Sequence, residues 1–159
     1  MKTARIIALA LLVALVALAC AGCGASKPKG HAANEKFTLS KNTYALEKWV
    51  RQSDKDASGK AAYGLCLLLV GDDAPVTFVL GSNEMHSGVD VAALLGEEEI
   101  GTQNINFAAA SDAPGFGVRA TFTFLIPEGA ELPQSATLFD TTDKQKSAAL
   151  NLVGLTVEE

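Results

Sequence analysis

The sequence predicts an all-β fold, an antiparallel sandwich, preceded by a signal-peptide helix and a flexible tether. Three observations support this prediction. Apolar and polar residues alternate in several short segments, one apolar run is almost continuous, and clusters of turn-forming residues separate these segments. Short strands at such intervals are typical of antiparallel sandwiches and barrels.

The clearest strand pattern covers residues 118–126, where apolar and more polar side chains alternate. A period of two with aromatic and β-branched residues indicates a half-buried strand. Pro127 should end it, because proline cannot donate a hydrogen bond to a neighbouring strand. Residues 76–80 and 104–108 show shorter versions of the same pattern.

The apolar run 63–70 predicts a central strand covered on both faces. Residues 136–139 and 148–157 should close the chain, and we expect Gly154 to mark a bulge in the last strand.

Two segments are ambiguous. Residues 44–52 contain good helix formers, but we predict a strand because tertiary context overrides weak propensity and the following segments are β. Residues 89–99 are expected to hold one short helical turn.

The first residues of the chain have the layout of an export signal. Lys2 and Arg5 give a positive start, and no charged residue occurs within residues 6–25. Signal peptides combine such a start with an apolar core and with small residues near the cleavage point, here Ala17 and Ala19.

Cysteine occurs where the predicted signal ends, at Cys20 and again at Cys23. The segment 16–20, Val-Ala-Leu-Ala-Cys, resembles a bacterial lipobox, in which a small residue precedes the cysteine that receives diacylglycerol. Cys23 has the more typical Ala-Gly in front of it, but Cys20 lies where the motif usually has leucine. We prefer Cys20 as the lipidation site and keep Cys23 as the alternative.

Two other interpretations of residues 6–25 compete with lipidation. Cleavage after Ala19 without lipidation would release a soluble protein, and an uncharged run of about 20 residues is long enough to span a bilayer as a helix. Against a permanent helix, the later half of the run is Ala, Gly and Cys, and Lys27 and Lys29 reduce the charge asymmetry that sets orientation.

These features divide the chain into three parts. We predict a lipoprotein signal peptide over residues 1–19, a lipidated cysteine and flexible tether over 20–36, and a β-sandwich domain over 37–159. The small and polar residues of the tether bury too little apolar surface to become ordered. The expected location is the outer, extracytoplasmic face of the cell membrane, with the lipid as the membrane link.

Charge narrows the classes of partner. The net charge of −5 becomes −7 when Lys2 and Arg5 leave with the signal peptide, and no basic stripe is present. The sequence therefore predicts neither nucleic-acid binding nor a charged face for anionic lipids. Cys66 lies inside an apolar run, so we expect a buried thiol rather than a disulfide.

Residues suited to catalysis are scarce. Histidine is the usual general base, and the chain has His31, in the predicted tether, and His86. No serine lies in a pattern that resembles a nucleophile elbow, and a catalytic site would require the fold to place Ser87, Ser111 or an acidic pair beside His86. We therefore predict no enzyme, no catalytic residue and no cofactor.

Two segments contain possible metal ligands, but the sequence does not predict a metal site. Residues 54–59 imitate the start of a calcium loop, but the position that should hold glutamate is Leu65, so a polar hairpin turn is preferred. Met85 and His86 would suit copper but lack a third ligand, and we expect a loop pair without a metal role. The acidic run 97–99 is expected to be a solvated loop.

Three aromatic residues with polar groups, Trp49, Tyr44 and Tyr63, fit either an interface or the core. Their period-two spacing favours core filling.

The C-terminal part carries a family resemblance. Residues 122–133, Phe-Thr-Phe-Leu-Ile-Pro-Glu-Gly-Ala-Glu-Leu-Pro, precede Ala-Thr-Leu-Phe at 136–139 and a last strand ending in Leu152. This pattern resembles the C-terminal half of telokin-like, immunoglobulin-like domains in extracytoplasmic lipoproteins of Gram-positive bacteria. The resemblance implies an immunoglobulin-like sandwich and implies no site residues.

We therefore expect a membrane-anchored interaction module that binds a cell-envelope protein through loops or an exposed sheet edge. The alternative is a carrier of a small ligand or metal that uses Met85, His86 and the pair Asp72 and Asp73.

Overall fold

The structure, a computed structural model, describes residues 29–71, 73–79 and 84–159. All regular elements within these ranges are β-strands. In chain order the twelve strands are β1 (Lys36–Leu39), β2 (Asn42–Arg51), β3 (Lys60–Leu69), β4 (Val76–Val79), β5 (Glu84–Ser87), β6 (Val89–Leu95), β7 (Glu98–Gly101), β8 (Asn104–Ala109), β9 (Val118–Pro127), β10 (Ser135–Asp140), β11 (Ser147–Asn151) and β12 (Val157–Glu158).

The larger sheet contains six strands in the order β1-β2-β3-β9-β8, with β12 also paired to β2. All pairs in this sheet are antiparallel except β12 with β2, which is parallel. β1 pairs with residues 42–45 of β2 and β12 with residues 49–50, so the two short strands share one side of β2. The opposite edge of the sheet is β8.

The smaller sheet contains four antiparallel strands in the order β11-β10-β6-β7. β4 and β5 form a separate antiparallel hairpin. The described part of the chain is therefore all-β, as predicted, with two main sheets.

The two main sheets share one hydrophobic core. In β9, Val118, Ala120, Phe122, Phe124 and Ile126 are buried, and the residues between them are half-buried. The same cluster includes residues of β2, β3, β6, β10 and β11. This arrangement confirms the strand predicted at residues 118–126.

Residues 44–52 form a strand rather than a helix, which confirms the choice made from the sequence. The central position of β3 is confirmed as well, since it lies between β2 and β9 and buries residues 65–69. Strands are also present where residues 76–80, 104–108 and 136–139 predicted them. The sequence patterns did not predict β1, β5 or β7.

The helical turn expected within residues 89–99 is wrong. Val89, Val91 and Ala93 are buried on one face of β6, which is a strand periodicity, and β7 returns beside β6 as a hairpin. Gly96 supplies the turn with a positive φ of 65°, a conformation that glycine adopts without steric cost.

The single closing strand expected over residues 148–157 is also wrong. β11 ends at Asn151, and Gly154, with φ of 77°, lies in a turn rather than in a bulge. After this turn β12 pairs with β2 in the larger sheet. The chain therefore changes sheets at the point where the sequence suggested a change of register.

The N-terminal end of the described chain contacts both sheets. His31 bridges Leu150 of β11, and Ala33 bridges Leu46 of β2, both in parallel orientation. The backbone N–H of His31 donates to the carbonyl of Ala149 at 2.9 Å, and the N–H of Asn34 donates to the carbonyl of Leu46 at 2.8 Å. Residues 31–34 are therefore hydrogen-bonded to strands of both sheets.

Candidate interaction edge

One side of the molecule carries the continuous path formed by β7 and β8. Gly101 at the end of β7 pairs with Ala92 in the middle of β6, and Asn104 at the start of β8 pairs with Thr123 in the middle of β9. The chain therefore leaves the smaller sheet halfway along its edge and enters the larger sheet. His31 and Ala33 lie on the other side, beside β11 and β2.

The two halves of this path lie toward opposite ends of the molecule. β8 ends at Ala109, which pairs with Val118, and Val118 is level with Leu69 and Tyr44 in the same sheet. The nearby β1–β2 turn is joined to the smaller sheet because the Ser40 hydroxyl donates to Asp140 at 2.7 Å. Asp140 pairs with Val89, the first residue of β6, so β8 ends near the start of β6. Glu98 of β7 pairs with Leu95, the last residue of β6, so β7 begins at the other end of the molecule.

Charge distinguishes the strands that border the two sheets. β7 carries Glu98 and Glu99, and both are exposed. β1 begins with Lys36, and the β11 edge is partly occupied by the bridge from His31. β8 is uncharged, and no charged residue occurs from position 102 to 111. Natural proteins usually protect edge strands with charge, proline or a covering segment, so an uncharged edge indicates a contact surface.

Alternate backbone groups of β8 point away from the sheet. The carbonyls of Gly117 and Thr123 accept hydrogen bonds from Ala110 N–H at 3.0 Å and Gln103 N–H at 2.7 Å. Odd-numbered residues of β9 thus face β8, and their partners in β8 are the even-numbered residues. The N–H and C=O groups of Ile105, Phe107 and Ala109 are therefore directed outward. We call these three residues the outward set.

An apolar cleft adjoins the carboxyl end of β8. It has a volume of about 360 Å³. Its lining residues are Ala74, Phe107, Ala108, Ala109, Gly117 and Val118. Ile105 and Phe107 are half-buried and pack against the core from the same face of β8. The outward set therefore combines apolar side chains with backbone groups that are directed away from β9 and pair with no other described strand.

A charged cluster lies on the face of the larger sheet that points away from the core. Arg119 donates from Nε and Nη2 to the two carboxylate oxygens of Glu47, each at 2.7 Å, and from Nη2 to Asp112 at 3.0 Å. Glu47 is the extra residue of a β-bulge, because the register of β2 shifts between Leu46 and Lys48. The hydrogen bonds that Arg119 donates to Glu47 and Asp112 raise the pKa of its guanidinium above the ordinary value.

This ion pair crosses the central strand. Glu47 is on β2 and Arg119 on β9, and β3 lies between them, so the two side chains meet over its outer face. Leu68 is the residue of β3 opposite Arg119, and it is 6% exposed. The ion pair therefore accounts for the burial of Leu68 on the outer face of β3.

Cys66 is a buried free thiol, as predicted. It lies on the same outer face of β3, with Sγ 3.7 Å from the Thr121 hydroxyl, and burial raises the pKa of the thiol. A thiol with a raised pKa is a poor nucleophile, since the thiolate is the reactive form.

No protein-family model, curated protein or solved structure matches the chain.

The structure describes only some of the candidate functional residues. Cys20 and Cys23, the signal peptide 1–19 and most of the tether lie outside the described residues, as does Asp72. Met85 and His86 belong to β5, so the expectation that they form a loop is wrong. Glu98 and Glu99 likewise lie in β7 rather than in a loop, although they are solvent-exposed as expected.

Residues 54–59 form the turn between β2 and β3, as predicted. Asp56 Oδ1 accepts from the backbone N–H and hydroxyl of Ser58 at 2.8 and 2.6 Å and from Lys60 N–H at 3.2 Å. These hydrogen bonds lower the pKa of Asp56. The Asp56 carboxylate therefore accepts its hydrogen bonds from residues of the same turn, as is usual for aspartate in this position.

The aromatic residues fill the core, as predicted. Trp49 is 1% exposed and Tyr44 is fully buried, and burial raises the pKa of Tyr44 to about 12. Tyr63 is half-buried and packs against the core, with the guanidinium of Arg51 5.9 Å from its ring centre.

Within the described ranges, no three His, Cys, Asp or Glu side chains are grouped as a metal site requires. The same ranges contain no apolar helix of membrane-spanning length.

Proposed function

We propose that the chain is an extracytoplasmic lipoprotein whose β domain is a non-catalytic interaction module, and that β8 is its contact strand. The observation that carries the proposal is the uncharged edge with its outward set, Ile105, Phe107 and Ala109. An extended segment that pairs with such an edge gains main-chain hydrogen bonds for affinity and side-chain contacts for specificity.

The position of the N-terminal segment supports this proposal. The tether enters the domain at His31, next to β11 and β2, whereas β8 borders the opposite side of the larger sheet. A domain held at a membrane through this tether would keep β8 accessible. The anchor itself is proposed from the charge-free segment 6–25 and from Cys20 and Cys23.

We further propose that the sandwich is immunoglobulin-like and related to the telokin-like lipoprotein domains. Two features support this assignment: two main sheets share one core, and β9 is followed by the Pro127–Pro133 connection and by the β10–β11 hairpin. Loops and edges, rather than a catalytic cleft, are the usual contact surfaces of such scaffolds.

The anchor is tested by labelling bacterial cells that express the full-length chain with radioactive palmitate. Label should appear on the wild type and disappear from the Cys20→Ala, Cys23→Ala double variant. Cys66→Ala is the matched control, because this cysteine is buried at 2% exposure and should leave labelling unchanged. The two single variants identify the modified residue, and label on the double variant would contradict the proposal.

The contact strand is tested by photo-crosslinking in the same cells. Benzoylphenylalanine in place of Ala109 should give a covalent adduct, because position 109 lies on the uncharged edge. Benzoylphenylalanine in place of Glu98, on the charged edge strand β7, is the control and should give none. Equal adducts at both positions, or none at position 109, would refute β8 as the contact strand.

A further inference from the structure

We infer that the partner of β8 is β8 of a second copy of this chain, so that the two larger sheets join into one continuous sheet across a twofold axis. This inference rests on the proposed use of β8 as the contact strand and adds the identity of the partner. A twofold interface requires a surface that is complementary to itself, and the sequence of β8 meets this requirement.

The outward set fixes the register of the pair. In an antiparallel arrangement centred on Phe107, Phe107 lies opposite Phe107 of the second copy, and Ile105 lies opposite Ala109 of the second copy. Residues with outward N–H and C=O groups then face one another and exchange about six backbone hydrogen bonds. A large residue faces a small one at both ends, and two aromatic rings meet at the centre.

Charge permits this approach although the chain is acidic. The net charge is −5, yet residues 102–111 contain no charged side chain, so no carboxylate lies on the strand that would be shared. Of the other strands bordering the two main sheets, β7 carries exposed carboxylates, β1 carries a lysine, and the uncharged β11 is partly occupied by the bridge from His31. Like charges across a strand pair are unfavourable, which leaves β8 as the edge suited to self-pairing.

The path of the chain keeps the acidic residues apart. Glu98 lies at the end of β6 remote from Val89, whereas β8 runs toward the end of the molecule where Val89 lies. Antiparallel pairing of two β8 strands reverses one copy relative to the other. The two Glu97–Glu99 runs therefore point to opposite ends of the pair, where their repulsion is weakest.

The proposed anchor is compatible with this pairing. Because His31 lies on the side of the domain away from β8, both N-terminal segments leave from the outer sides of the pair. Two tethers can then reach the same membrane, and restriction to one membrane raises the effective concentration of the copies.

The test is the mass of the full-length chain in detergent and reducing agent, measured by light scattering after size exclusion. Ala109→Pro removes an outward N–H while leaving the hydrogen bonds of β8 to β9 intact, a position at which edge strands tolerate proline. We expect a mass of two copies for the wild type and one copy for Ala109→Pro. Ala109→Ser, which retains the N–H and the small side chain, is the matched control and should remain at two copies.

Circular dichroism and the following outcomes decide between the alternatives. Circular dichroism of Ala109→Pro should match the wild type, so that loss of the pair is separated from loss of the fold. A wild type of one copy at every concentration, an Ala109→Pro variant still of two copies, or assembly beyond two copies would overturn the inference. A monomeric wild type that still crosslinks to another protein through position 109 would overturn this inference and leave the proposed function standing.

Discussion

Replacing Phe124 with alanine is expected to lower the free energy of unfolding by about 3–5 kcal/mol, the usual cost of truncating a buried phenylalanine. Phe124 is fully buried in β9 and lies edge-to-face with Trp49, with ring centroids 5.9 Å apart and an interplanar angle of 67°. Truncation of the Phe124 ring leaves a cavity beside Trp49 that the rigid strands cannot close. Urea denaturation followed by circular dichroism measures the loss.

Leu125→Ala is the control for this experiment. Leu125 is the next residue in the same strand, but it points to the opposite face and is only half-buried. We expect a loss of about 1 kcal/mol, because less apolar area is removed from contact. Equal losses for the two variants would mean that the buried face of β9 is assigned wrongly.

Breaking the ion pair over β3 is expected to have the second-largest effect. Glu47→Gln and Arg119→Met should each destabilise the domain by about 1–3 kcal/mol, because each leaves a largely desolvated charged group without its main partner. The side chains are 17% and 18% exposed, so solvent compensates only in part. The double variant should lose less than the sum of the single losses, and denaturant midpoints of all four proteins measure this coupling.

The pair formed by Lys48 and Glu158 provides the comparison. Its Nζ–Oε2 distance is 2.7 Å, as short as that of the first pair, but the Glu158 side chain is 58% exposed. Exposed ion pairs contribute about 0–1 kcal/mol, so a double-mutant cycle on this pair should give little coupling. A coupling energy as large as that of Glu47 and Arg119 would mean that the difference in exposure does not set the strength of these two ion pairs.

The sequence predicted those strands whose burial is visible in local alternation. β9 buries every second residue, and β3 buries residues 65–69 because the sheet core covers one face while the Glu47–Arg119 pair lies over Leu68 on the other. β7 was missed because both its glutamates are exposed and its order depends on pairing with β6. Its polar composition resembles that of a loop, and pairing is not a local property.

The candidate contact strand was only partly predictable. Alternation identified residues 104–108 as a strand, but only the pairing of Ala110 with Gly117 determines which backbone groups point outward. Whether a strand is an edge likewise depends on the order of strands in the sheet. The ion pair across β3 was not predicted for the same reason, since Glu47 and Arg119 are 72 residues apart in the chain.

The attachment of residues 31–34 to both sheets determines how the domain would respond to mechanical load. If the chain is anchored through its N-terminal segment, tension from the envelope enters at His31 and Ala33, which are hydrogen-bonded to β11 and β2. The load is then divided between the two sheets instead of peeling a single strand from one of them. A lipid-anchored module built in this way could carry force between the membrane and its partner without opening its core.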